Sequence, residues 1–221
     1  MKLLSVNLAR PHTAEYTDSA GRVTGIDKRP APHPVRVSAP GPKGSGGSGL
    51  AGDTIGDWRH HGGDDQAVYA FAREDLDGWA AELGRELPNG VFGENLTTTG
   101  GSVNDARVGE RWRVGDPDRG PLLEVSCGRI PCRTFAGWLG ERGWIKRFTQ
   151  RAAPGAYLRV IEPGEVRAGD AVQVVHRPEH EVSVAFWFRA LTTEPELLQR
   201  MLAAGDALPH ESRERALRRG A

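Results

Sequence analysis

The sequence predicts a mixed α/β, β-rich fold followed by a short helical tail, and three observations carry that prediction. The 221 residues include 29 glycines and 15 prolines, a supply of turns that suits many short strands better than a helical bundle. Short alternating or β-branched runs recur from residue 1 to residue 176. After His176 the apolar spacing becomes helical. These place a strand-rich domain over residues 1–176 and a helical appendage over 177–221.

In chain order, residues 1–9 alternate as a first strand. Arg22–Ile26 and Val35–Val37, separated by proline-rich turns, form a second, hairpin-like region. Gly41–Gly49 is a flexible inter-element loop by composition; it lacks the Gly-Lys-Ser/Thr ending of a phosphate loop. Residues 52–65 are dense in turn formers and polar groups. Adjacent His60 and His61 cannot both point one way on a strand, so the pair alone makes a poor metal site. Gly62-Gly63 permits either a plain sharp turn or close backbone approach to a ligand.

Leu76, Trp79, Ala80 and Leu83 fall at helical spacing, and Pro88 closes that segment. Gly90–Thr98 is a glycine-flanked bend feeding a β-branched run, where Glu94-Asn95 is either a satisfied turn or a polar face for a ligand. Val108–Asp116 alternates as a strand, and Leu122, Leu123 and Val125 begin another. Phe135, Trp138, Leu139, Trp144, Ile145 and Phe148 suit one or two short packed helices. Two strands, Ala156–Ile161 and Ala171–Val175, flank a turn at Glu162-Pro163-Gly164. Residues 182–191, 194–204 and 210–219 read as three short helices, with Leu197, Leu198, Met201 and Leu202 giving the middle one its apolar face.

Composition narrows the function. Lys plus Arg and Asp plus Glu are both 29, so net charge is zero and nothing favours binding to nucleic acid by counterion release. The two cysteines, five residues apart, are no disulfide framework. Met1–Leu8 is too short an apolar run for a signal peptide, and no longer apolar segment follows, so the expectation is a cytoplasmic protein with no membrane partner.

The candidate for chemistry is Cys132. It follows a strand broken by Gly128 and Pro131, so it should sit in a fixed loop just past a strand end. Arg129 and Arg133 flank it and would favour a thiolate, the form that ligates soft metals or attacks electrophiles. The alternative is a small buried hydrophobe. Cys127 has the same two readings, a second redox thiol or a filled core position, and the latter is preferred for a strand-borne cysteine.

Six stretches in order resemble the MOSC domain, the molybdenum cofactor sulfurase C-terminal family. They are Gly52-Asp53 leading to His61-Gly62-Gly63-Asp64, Phe92-Gly93-Glu94-Asn95-Leu96, Gly109–Gly115, Arg129-Ile130-Pro131-Cys132, Gly155–Val160 and Glu165–Asp170. The resemblance covers residues 1 to about 176, and the helical tail is similar to that of the small, single-chain YiiM-type members. Two positions depart from the family pattern: the second histidine at 60, and Cys127-Gly128 ahead of the arginine.

The resemblance implies a β-barrel with peripheral helices holding a mononuclear molybdenum cofactor (molybdopterin), with Cys132 as the metal ligand and catalytic residue. It carries His61, Gly62, Gly63, Glu94, Asn95, Arg129 and Arg159 over as cofactor-binding positions. By the same analogy the protein is a reductase of N-hydroxylated compounds (hydroxylaminopurines, hydroxylamines, amidoximes) to amines. A separate ferredoxin or flavin reductase would supply its electrons, since two cysteines cannot ligate a conventional cluster. The alternative is a carrier of sulfur or of the molybdenum cofactor, acting through a Cys132 persulfide or thiolate. Fold resemblance alone does not choose between them.

Overall fold

A curled eight-stranded sheet organises the molecule, whose computed structural model describes residues 1–219; the last two residues of the 177–221 appendage lie outside the described residues. In chain order the strands are β1 (Lys2–Ala9), β2 (His12–Thr13), β3 (Val23–Thr24), β4 (Lys28–Pro30), β5 (Val35–Val37) and β6 (Val68–Ala72). After them come β7 (Leu96–Thr99), β8 (Arg111–Val114), β9 (Leu122–Gly128), β10 (Ala156–Glu162), β11 (Gly164–Val166) and β12 (Val172–His176). The helices are α1 (Arg73–Leu83), α2 (Arg133–Leu139), α3 (Trp144–Arg151), α4 (Val184–Thr192), α5 (Leu198–Met201) and α6 (His210–Arg219).

The main sheet runs β12-β8-β9-β10-β6-β7-β1-β4; β11 pairs with β5, and β2 with β3, in small separate ribbons. Every pair in the main sheet is antiparallel except β6–β7, where Ala70 opposes Leu96 in parallel register.

The expected barrel is not closed. The flanks meet at one bridge, Lys2 to Ala171, beside hydrogen bonds from Leu3 N to Asp170 O (2.8 Å) and from Gly169 N to Leu3 O (2.9 Å). A ladder cannot extend there because residues 167–170 form a turn, in which the Asp170 carboxylate accepts from Arg167 N at 2.8 Å. The architecture is therefore mixed α/β and strand-rich, with an open, curled sheet.

The two faces of the sheet bury different side chains. Inside the curl lie Leu3, Val6, Val68, Ala70, Trp112, Leu123, Val125 and Leu158. Outside, an aromatic cluster lies under the helices, with Phe92 at its centre, 5.0 Å from Phe71, 5.1 Å from Phe135 and 5.4 Å from Trp144 between ring centroids. Strand β6 feeds both faces: Val68, Ala70 and Ala72 go to one cluster and Tyr69 and Phe71 to the other. Such a strand is apolar throughout, as expected for one covered on both sides.

The C-terminal helices share this outer core, since Phe186, Trp187 and Phe188 of α4, Met201 of α5 and Ala216 of α6 belong to the same cluster as Tyr69 and Phe71. Ser183 starts α4, its Oγ accepting from Phe186 N at 3.1 Å. This bond satisfies one of the orphan donors of a helix N-terminus. Ser183→Ala is expected to lower unfolding free energy by about 1 kcal/mol in a urea titration. Ser183→Asp should recover most of that loss; no recovery would show that the hydroxyl acts other than as a cap.

Candidate active site

Strand β9 ends at Gly128, and Arg129-Ile130-Pro131 carries the chain out to Cys132, which caps α2 in extended geometry (φ −124°, ψ 171°). Cys132 is thus fixed between the end of a central strand and the start of a helix, half-buried on the wall of a cavity of about 650 Å³. That size lies within the range of small-molecule and cofactor sites. His61, Tyr69, Asn95, Arg129 and Tyr157 share the lining.

Electrostatics at the thiol favour the anion. Burial pushes the Cys132 thiol up, but hydrogen bonding from His61, the charge of Arg129, the charge of His61 and the Phe135 backbone N–H together bring it down to about 6. The sequence reading gave this role to both flanking arginines. Only Arg129 performs it. Arg133 opens α2 facing solvent, pairs with the Asp18 carboxylate and donates to Glu15 O at 3.1 Å.

Arg129 is buried, donates from Nη1 to Phe92 O, and lies 4.3 Å from the Phe135 ring centroid and 5.2 Å from that of Tyr69. Cation–π contact of this kind suits a desolvated guanidinium. Its Nε is buried with no partner, so one strong donor is left for a ligand.

The other predicted positions divide. His61 and Gly62 line the cavity. Gly62 has φ +80°, and a Cβ there would lie 2.8 Å from Gly47 O, so glycine is required by both dihedral and space. Asn95 lines it too, its Oδ1 accepting from Tyr69 N (3.1 Å) and its Nδ2 donating to Asp53 Oδ2 (2.9 Å).

Gly63, Glu94 and Arg159 stand apart from the lining. Gly63 packs on the backbone of Lys43, where a Cβ would come within 2.6 Å of its Cα. Glu94 is fully buried, and its carboxylate accepts from Gly90 N (2.5 Å), Phe92 N (3.0 Å) and Thr97 Oγ1 (2.9 Å). It closes the 90–97 bend that presents Gly93 and Asn95. Arg159 is occupied elsewhere, donating to Asp65 Oδ1 (2.6 Å), Glu124 Oε1 (3.2 Å) and Ala207 O (2.9 Å).

One part of the site was missed. Lys28 and Asp53 line the cavity as a buried ion pair, Nζ lying 2.5 Å from both carboxylate oxygens. Asp53 stood in a quoted motif without a role, and a lone Lys in a short strand ending in proline gave no signal. Cys127 takes the core position preferred above: it is buried beside Ser126, and burial pushes its thiol up to about 12. Among the described residues no cluster of three or more His, Cys, Asp or Glu could by itself hold a metal ion. No helix among them is long and apolar enough to cross a membrane.

A family model described as "MOSC domain" matches residues 57–173. The Bacillus subtilis protein YflK is 34% identical over 184 residues, covering 83% of this chain and 77% of that protein. A Gibberella moniliformis protein named "Reductase" is 32% identical over 127 residues, 56% of this chain and 22% of that longer protein. Among solved structures, YiiM from Geobacillus stearothermophilus superposes over 100% of this chain and 99% of its own with a TM-score of 0.77 at 27% identity.

Proposed function

The chain belongs to the MOSC domain family, and on that premise we propose that it is a molybdenum-cofactor-dependent oxidoreductase reducing N-hydroxylated compounds to amines. The observation that carries the reading is the Cys132 thiol, brought down to about 6 on the wall of a cavity that also presents Arg129 and His61. The similarity to a protein named "Reductase" supports the reaction class.

The residues fit the cofactor. A thiolate is a soft ligand for molybdenum. With no multi-residue metal cluster nearby, Cys132 would be the protein's single contribution to a metal whose other ligands come with the pterin. The unpaired Nε of Arg129 offers a charged donor. Gly62 and Gly93 leave flat backbone, since a Cβ on Gly93 would lie 3.1 Å from Arg129 Nη1. Asn95 and the Lys28–Asp53 pair supply polar edges for a pterin ring.

When bound, the cofactor supplies the two-electron reduction of the N–O bond: one R–NHOH, two electrons and two protons give R–NH2 and water, the electrons coming from a separate ferredoxin or flavin reductase. The chain's own groups do the rest. Cys132 Sγ holds the metal, and Arg129 keeps that sulfur anionic without needing a change of pH. Tyr157 lines the cavity, and burial first and foremost raises its phenol to about 12, so its Oη stays protonated and can donate to the substrate oxygen. His61 sits where it can carry a second proton.

A carrier with Cys127 as a relay thiol is less well supported, because a thiol at about 12 is scarcely ionised at neutral pH. The test is molybdenum and pterin content after anaerobic purification from a cofactor-producing host. Wild type should hold near-stoichiometric metal and reduce a hydroxylamine with a chemical reductant, and Cys132→Ala should do neither. Metal absent from both would sink the proposal and direct attention to persulfide chemistry.

A further inference from the structure

A second cavity, of about 890 Å³, opens between the sheet and the C-terminal helices. It shares His61, Gln66 and Tyr157 with the Cys132 cavity, so the two are neighbouring chambers with a common threshold. Trp187 and Leu191 of α4, with Ile130 two residues before Cys132, give it broad apolar walls. The Trp187 Nε1–H is already bonded to Ser212 Oγ at 3.1 Å, which fixes the indole. A rigid aromatic wall favours a planar partner by stacking.

The rim carries charge that is internally matched. Lys43 Nζ donates to Glu211 Oε1 (2.9 Å) and Oε2 (3.2 Å), and Arg215 Nη2 donates to Leu191 O at 3.1 Å. A phosphate site assembles several convergent, unengaged donors. This rim instead offers single polar contacts of both signs around an apolar slot, which matches an uncharged, hydrogen-bonding ring.

We propose that this second chamber holds the organic body of the substrate as a planar, uncharged heteroaromatic ring, of the size of a purine base. The exocyclic N–OH then lies at the His61–Tyr157 threshold, facing Cys132. Trp187, Leu191 and Ile130 are its specificity-determining residues, and the matched rim selects free bases over nucleotides. The inference rests on the reductase reading above for the identity of the reacting group.

The test uses the full chain free of cofactor, titrated calorimetrically with adenine and with adenosine monophosphate. Adenine should bind saturably, and the nucleotide about tenfold or more weaker. Leu191→Trp, which fills the chamber without removing core, should weaken adenine by about tenfold or more. Ile130→Trp, at an exposed position on the opposite wall, is the second variant should the first fold poorly. In cofactor-loaded enzyme, the ratio of kcat/KM for N6-hydroxyadenine to that for hydroxylamine should fall by a similar factor in either variant. Absent adenine binding, binding indifferent to both variants, or equal binding of the nucleotide would each overturn the proposal. The two readings fail separately. Protein without molybdenum that binds adenine in a Leu191-sensitive way loses the reductase and keeps the chamber. A molybdenum reductase whose substrate ratio ignores both variants loses the chamber alone.

Discussion

Replacing Asp53 by alanine is expected to destabilise the protein by about 3–5 kcal/mol, the largest effect of a single side-chain truncation in the site. The Asp53 side chain is 1% exposed and that of Lys28 8%. Besides Lys28, the carboxylate accepts from Ser48 Oγ (2.6 Å), Ala9 N (2.8 Å) and Asn95 Nδ2 (2.9 Å). Its removal would strand a buried ammonium and three other donors.

The signs follow from the two pKa shifts. Burial pushes Asp53 up, but the Lys28 charge and the hydrogen bonds outweigh it and hold the carboxyl below its usual range. Its contribution is therefore present above the ordinary carboxylate pKa and is lost as pH falls through the lower folded value. Burial is also the main influence on Lys28, and it lowers the amine in spite of Asp53. Without Asp53 that amine would be driven further towards its neutral form. The variant's deficit should thus be largest at neutral and acid pH and shrink as pH rises towards the amine's unfolded value. Urea unfolding of wild type, Asp53→Ala and the double variant Lys28→Met/Asp53→Leu across pH decides the matter. The double variant should recover most of the loss, because an apolar pair of similar volume replaces an ion pair at little cost. A single variant within about 1 kcal/mol of wild type would show that the pair is solvated and contributes little.

The extent to which the sequence disclosed the fold depended on how each element is covered. Strands with one exposed face, such as β8 and β10, alternate and were legible. Strand β6 was not, although it lies between β10 and β7 in the sheet. Its five residues are all buried and pass directly into α1, so there is no polar alternation and no turn to mark it. β4, ending in Pro30, and β11, beginning in the turn at Gly164, are three-residue strands whose pairing is set by tertiary contacts. The tail's three helices were visible in outline, but the middle one is broken into α5 and flanking 3-10 turns. Closure of the sheet could not be read at all, because it depends on whether the 167–170 turn runs alongside β1, which no local pattern encodes.

At the site, the legible residues were those whose local sequence is unusual: a cysteine after Ile-Pro, a His-Gly-Gly turn, and an arginine at a strand end. Their meeting needed the fold, since His61 and Cys132 are brought together only by tertiary structure. Glu94 shows the opposite limit. A Glu between two glycine-rich turns suits a ligand or a backbone clamp equally well from sequence, and only its three accepted hydrogen bonds identify the clamp. Arg133 fails as a charge partner for a geometric reason, since a residue at the first position of a helix points away from its N-cap side chain.

Alkylation of Cys132 in the cofactor-free protein should follow a single ionisation with midpoint about 6, with Cys127 unreactive throughout. An ordinary thiol, with a midpoint near 8.5, is ionised to well under about 1% at pH 6, whereas this one is about half ionised there. The thiolate fraction should therefore exceed that of a free thiol by about two orders of magnitude at pH 6. The rate gain will be smaller, because nucleophilicity falls with basicity, so the midpoint and not the plateau is the discriminating quantity. Removing the positive charge by Arg129→Met should raise the midpoint, and His61→Ala should raise it too, since each now acts against the upward push of burial. Arg133→Ala should leave it in place, because Arg133 is engaged with Asp18 in solvent. Mass-spectrometric rates of iodoacetamide labelling between pH 5 and 9 read all four proteins. A wild-type midpoint above about 8 would mean that burial outweighs the cation and the histidine, and Cys132 would then be a packed thiol and a poor metal ligand. A midpoint that moves in Arg133→Ala but not in Arg129→Met would reverse the assignment of the charge partner while leaving the thiolate itself intact.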